Sequence, residues 1–145
     1  MVQKINLNSI ADIIDLHDYE TASIEYADNR LSFVFENKVG DESNNFNRLK
    51  VHFVLGKSFS DEDFVPSVRH IKKSRFFNKS TVKYYNLGAF LEYLTKNKYG
   101  LKFYSIYYNK NQCLLITELI KDGKWEMFNE FDIELCVEEI ICEYF

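Results

Sequence analysis

A chain of 145 residues can bury about 68–70% of its unfolded surface, so a single domain over residues 1–145 is the simplest organisation. Aromatic residues make up 17% of it, thirteen Phe and ten Tyr, and such side chains suit strands better than helices. One Pro and five Gly leave no material for a flexible linker, and a formal charge of −4 argues against a chain that coats nucleic acid by charge alone.

No stretch approaches the ~18 apolar residues of a membrane helix, so no membrane partner is expected. Met1 to Asn6 lacks the apolar centre of a signal peptide. Cys113, Cys136 and Cys142 make an odd count without framework spacing, which fits a reducing compartment. A cytoplasmic location is the expectation.

In chain order, Asn8 can cap a short N-terminal helix with Ile10, Ile13 and Ile14 on one face. The period then changes to two. Ala22, Ile24 and Tyr26, the Asp28-Asn29 turn, and Leu31, Phe33 and Phe35 predict a β-hairpin with one buried face. A polar loop leads to a strand from Leu49 to Leu55, with Val51 and Phe53 inward and Lys50 and His52 outward. Ser60 with Asp63 resembles a capping box, so a helical turn near Asp61–Phe64 is expected before Pro66. Val68–Lys83 is basic and weakly patterned, readable only as loop or edge strand.

Asn86 caps the clearest helix, near residues 86–98. Leu87, Phe90, Leu91 and Leu94 stand at i, i+3, i+4 and i+7, and Gly100 lies just past its end. Leu101–Tyr108 and Gln112–Ile120 are apolar on both faces, as strands covered on both sides would be. Asp122-Gly123 is the strongest turn signal. From Trp125 onward apolar residues alternate with acids, and a bend or break is expected near Asn129 because the run exceeds a usual strand. Glu139–Phe145 reads as a last strand or a helical turn. The fold class is α+β, predominantly antiparallel sheet built from hairpins and a meander, with a half-open β-sandwich as the rival.

Charge is sorted along this framework. Residues 68–102 carry nine Lys/Arg against Glu92 alone, whereas residues 118–145 hold nine acids against Lys121 and Lys124. Glu126, Glu130, Asp132 and Glu134 fall on one strand face, spaced about 6.6–7 Å apart, and form a candidate partner-binding row for a cationic cleft. Asp61 and Glu62 add a second acidic knob. The competing reading makes such acids guards of an exposed edge, or partners of the chain's own cations. Arg69, Lys72, Lys73, Arg75 and Lys79, mixed with Phe76, Phe77, Tyr84 and Tyr85, are the alternative site, for nucleic acid or another anionic ligand.

His17-Asp18 is the one pair with catalytic potential, since a carboxylate can fix an imidazole tautomer. Backbone hydrogen bonding at the start of the first hairpin is the plainer role. No P-loop, no G-x-S-x-G and no zinc-ligand spacing occurs, so no enzyme, cofactor or metal is expected.

Leu16-His17-Asp18, Ile24-Glu25-Tyr26, Asp28-Asn29 and Leu31-Ser32-Phe33 resemble the opening of small immunity-type proteins of bacterial polymorphic and contact-dependent toxin systems. The resemblance covers residues 16–36. It implies a small, cytoplasmic, non-enzymatic inhibitor that neutralises a cognate toxin domain by binding it; the acidic row adds the expectation that it occludes a cationic site such as that of a nuclease.

Overall fold

In the computed structural model, residues 1–5, 16–36, 47–56, 66–74, 79–109 and 111–145 are described, the side chains of residues 5 and 125–128 excepted. They form β1 (Val2–Ile5), β2 (Thr21–Ala27), β3 (Arg30–Glu36), β4 (Arg48–Leu55), β5 (Ser67–Lys73), β6 (Ser80–Asn86), α1 (Leu87–Asn97), β7 (Gly100–Asn109), β8 (Gln112–Lys121) and β9 (Lys124–Tyr144). The class is α+β, with antiparallel pairing throughout. The expected N-terminal helix and the turn near Asp61–Phe64 lie outside the described residues.

The hairpins form where turn chemistry permits. Asp28 and Asn29 both take positive φ, as do Asp122 and Gly123, the pattern that matches strand twist in two-residue turns. Leu31, Phe33 and Phe35 are buried as expected, but Ala22 and Tyr26 are exposed. Among the apolar side chains of β2, Ile24 is the one packed on the core.

The 21-residue β9 organises the sheet. Its first half pairs with β5 and β8, and its second half with β4 and β1. The strand runs through Asn129 without breaking. Instead the register with β8 shifts there, since Ile120 faces Trp125 while Glu118 faces Glu130. Glu139–Tyr144 is strand.

A single curled half-barrel results, in place of the half-open sandwich. Its seam is tied where Asp18 N–H donates to the Phe103 carbonyl (2.9 Å) and Phe103 N–H to that of Tyr19 (2.9 Å). Leu101 N–H adds a bond to Thr21 Oγ1 at 2.8 Å. Inside, the Phe103 ring lies 5.0 Å from Phe33 and 5.2 Å from Phe35, both edge-on.

α1 starts at Asn86, whose side-chain oxygen accepts from Ala89 N–H at 2.8 Å. Leu87, Phe90 and Leu94 are its buried residues. Its stop differs from expectation: Lys98, at φ 55, is the left-handed cap. Gly100 instead lets β7 pass close to β2, because a Cβ there would stand 3.1 Å from the Thr21 carbonyl oxygen.

His52, expected outward, is buried beside Ser32, with Nδ1 2.8 Å from Ser32 Oγ. Within Val68–Lys83 the described residues bear out the edge-strand expectation for β6, while β5 lies inside the sheet between β9 and β6; Ser74 N–H donates to the Lys79 carbonyl at 2.9 Å.

Candidate docking face

Odd-numbered residues from Phe131 to Val137 point into the core, so the even-numbered ones face outward on the other side of β9. Register carries that outer face across five strands, β6-β5-β9-β8-β7, in three rungs. One runs Asn86, Ser67, Glu134, Leu114, Tyr107; the next Tyr84, Arg69, Asp132, Ile116, Ser105; the third Val82, Ile71, Glu130, Glu118, Lys102. The basic hairpin therefore lies directly against the acidic strand.

The predicted carboxylate row is changed by this neighbour. Asp132 is 6% exposed, and its Oδ2 lies 2.9 Å from Arg69 Nη2. It is not an exposed acid, and Arg69, its counter-ion, remains partly exposed. Asp132 Oδ1 is buried without a standing donor. Glu130 stands two residues from Asp132 on the same outer side of β9. Burial first, then Asp132 and the charge of Glu118, hold the Glu130 carboxyl above its ordinary range, with Lys73 opposing. Burial likewise raises Glu118, against Lys102 and Lys73.

Glu134 is exposed and has no ion-pair partner among the described residues. The side chain of Glu126 and all of Asp61, Glu62 and Arg75 lie outside what is described. The structure thus brings Glu130, Asp132 and Glu134 onto one face but leaves Glu134 as its freely presented acid.

Sequence reasoning missed the apolar part of this face. Tyr84 is 70% exposed, Tyr107 58% and Val82 50%, and they flank half-buried Ile71, Leu114 and Ile116. β7 and β8 are therefore covered on one face only, contrary to the expectation of cover on both. Their second apolar stripe was the available signal.

The opposite face of the hairpin holds a second cluster. The His70 ring stacks on Phe131 at 4.2 Å, and Tyr85 and Tyr93 lie 5.8 Å apart beside it. His70 Nε2 donates to Asn129 Oδ1 at 2.9 Å, which leaves Nδ1 as the bare nitrogen. Burial lowers the His70 pKa, and Lys72 and Lys83 lower it further against the Asn129 bond. Lys83 Nζ stands 4.9 Å from the Tyr85 ring centroid. Lys72, Lys73 and Lys79 are exposed, with Lys73 on the outer face.

The His17-Asp18 pair sits at the seam. Asp18 bridges His17 Nδ1 at 3.0 Å and Lys102 Nζ at 2.9 Å. That arrangement ties the start of the first hairpin to β7. A cleft of about 430 Å³ opens beside it, between β2, the end of α1 and the β8–β9 turn. Cys113 and Cys142 are buried thiols, their pKa values pushed up by burial, that of Cys142 to about 12. Among the described residues no group of three or more His, Cys, Asp or Glu is placed to hold a metal ion, and no helix is long and apolar enough to cross a membrane.

Comparison with family models, with curated proteins and with solved structures finds no match to this chain.

Proposed function

We propose that this chain is a protein-binding inhibitor of the immunity type, non-enzymatic and cytoplasmic, that neutralises a toxin domain by docking on the outer sheet face. The observation that carries the reading is the pair of exposed aromatics, Tyr84 and Tyr107, at opposite margins of one half-apolar face. Four strand spacings separate them, about 19 Å. Tyrosines on a rigid sheet are suitable anchors, because they bury much area with little loss of side-chain freedom.

The recognition mode differs from an acidic row. Arg69 neutralises Asp132, and Lys73 and Lys102 sit among Glu118 and Glu130, so the face is nearly balanced in charge. Exposed Glu134 is the acid best placed to meet a cation of the partner, including one lining a nuclease cleft.

Affinity capture from cells that naturally make the chain should recover one stoichiometric protein. Tyr84→Ala and Tyr107→Ala should each weaken that complex by at least about tenfold. Unchanged affinity in both variants would remove the reading.

A second reading has its own observation: Lys72 and Lys83 share a face with His70 and Tyr85, cations beside stackable rings. Binding of labelled single-stranded RNA or DNA at physiological salt, lost in Lys72→Glu/Lys83→Glu, would favour that reading over the first.

A further inference from the structure

The docking face is small for the task proposed. Five strands and three rungs cover roughly 400–500 Å² in projection, about half of the ~800 Å² that each side of a stable complex buries. A partner must extend past it. Beside Tyr84 the adjoining surface is the outer edge of β6.

That edge is unusual. β6 is the terminal strand of its path and pairs with β5 alone among the described strands. Its residues Ser80 to Tyr84 are all exposed. Alternate backbone N–H and C=O groups along it are therefore open to another strand. The two faces flanking the edge differ in chemistry. Val82 and Tyr84 lie on the outer side, and Lys83 on the other, next to His70 and diagonal to Lys72. Between Ser67 and Asn86 the chain has six cations (Arg69, Lys72, Lys73, Arg75, Lys79, Lys83) and no acid. Arg69 is engaged by Asp132, but Lys83 and Lys72 make no ion pair among the described residues.

From this edge and its charge we infer that β6 receives an extended, acidic segment of the partner protein as an added strand. Acidic side chains of the segment lie on the Lys83 side, and apolar ones on the Val82–Tyr84 side. An added strand alternates its side chains between faces, so the recognised sequence alternates acidic and apolar residues. A second copy of this chain is the wrong occupant. Pairing β6 with itself would place lysines opposite or diagonal to lysines in a hairpin without acids, a destabilising arrangement. The inference rests on the protein-binding reading and names the chemistry of part of that partner.

The test uses the whole chain and a synthetic peptide of about nine residues alternating Glu and Val, capped at both ends, with a Lys/Val peptide as control. Fluorescence anisotropy should detect the Glu/Val peptide and not the Lys/Val one, and Lys83→Glu should weaken binding at least about tenfold. Amide hydrogen exchange should slow at alternate positions of β6. Tyr107→Ala, four strands away, should leave peptide binding unchanged while weakening the whole partner. Failure of the docking face alone would thus show as an unaffected partner in Tyr107→Ala. Failure of the edge would show as no peptide binding, equal binding of both peptides, or slowing confined to other strands. Sedimentation showing a β6-paired dimer of the chain would equally overturn it.

Discussion

Arg69 on β5 and Asp132 on β9 face each other in register and are joined by a 2.9 Å ion pair, although 63 residues separate them in sequence. Asp132 is almost wholly buried, while the Arg69 side chain is 45% exposed. Removing the arginine leaves a buried carboxylate without its counter-ion, and that residual charge, not the lost attraction, dominates the cost. Arg69→Ala should therefore destabilise by about 2 kcal/mol, discounted for the exposure of Arg69. Adding Asp132→Asn should return most of it. Urea denaturation of the two variants and the wild type checks this. Equal stability of Arg69→Ala and wild type would show the pair to be incidental.

Glu130 predicts an effect of the opposite sign. Its pKa is raised in the folded state, so the stability it contributes is present below the ordinary value of 4.5 and lost as pH rises through the folded value. Glu130→Gln removes that loss, because an amide does not titrate. At pH 7 it should stabilise by about 0.5 kcal/mol at most, discounted for the exposure of Glu130, and the advantage should shrink toward pH 4.5. Denaturation midpoints at the two pH values decide. A destabilised variant at pH 7 would contradict the desolvation of this carboxyl.

His70 runs the other way. Its folded pKa is lowered by burial, so its contribution is intact above 6.5 and is lost as pH falls from 6.5 toward the folded value. Relative to His70→Gln, which does not titrate, the wild type should lose stability between pH 7 and pH 5. An unchanged difference across that interval would mean that the imidazole is not desolvated.

Lys98 holds a left-handed backbone at the end of α1, a conformation that costs a non-glycine residue about 1 kcal/mol. Lys98→Gly should recover about that amount, partly offset by greater freedom in the unfolded chain. Thermal denaturation should show a higher midpoint. Gly100→Ala should lower it, because its Cβ would stand 3.1 Å from the Thr21 carbonyl oxygen.

The legible parts of the fold were those set by neighbours in sequence. Asn86 with Leu87, Phe90 and Leu94 defined α1, and Asp28-Asn29 and Asp122-Gly123 defined their hairpins. β5 was opaque because its pattern, Arg69, His70, Ile71, Lys72, places polar groups on both faces. Its inner His70 is satisfied by a stack on Phe131, and its outer Arg69 by Asp132. Both partners come from β9, beyond the reach of any local period. The acidic run was visible, but strand alternation alone marks Asp132 as outward and cannot reveal that a cross-strand arginine covers it. The apolar surplus of Leu114 and Ile116 was visible as well. By itself such a surplus fits cover on both faces as well as a half-buried outer face, and the choice depends on what packs above it.

On the proposed mode, a protein partner covers the outer face between Tyr84 and Tyr107. Hydroxyl-radical footprinting of the purified complex tests it most directly, with Tyr26 as the internal reference because it is 47% exposed on β2, away from that face. Strong protection of Tyr84 and Tyr107, with Tyr26 reacting as in the free chain, is the predicted result. Protection of Tyr26 with Tyr84 and Tyr107 unchanged would place the partner elsewhere and contradict the account.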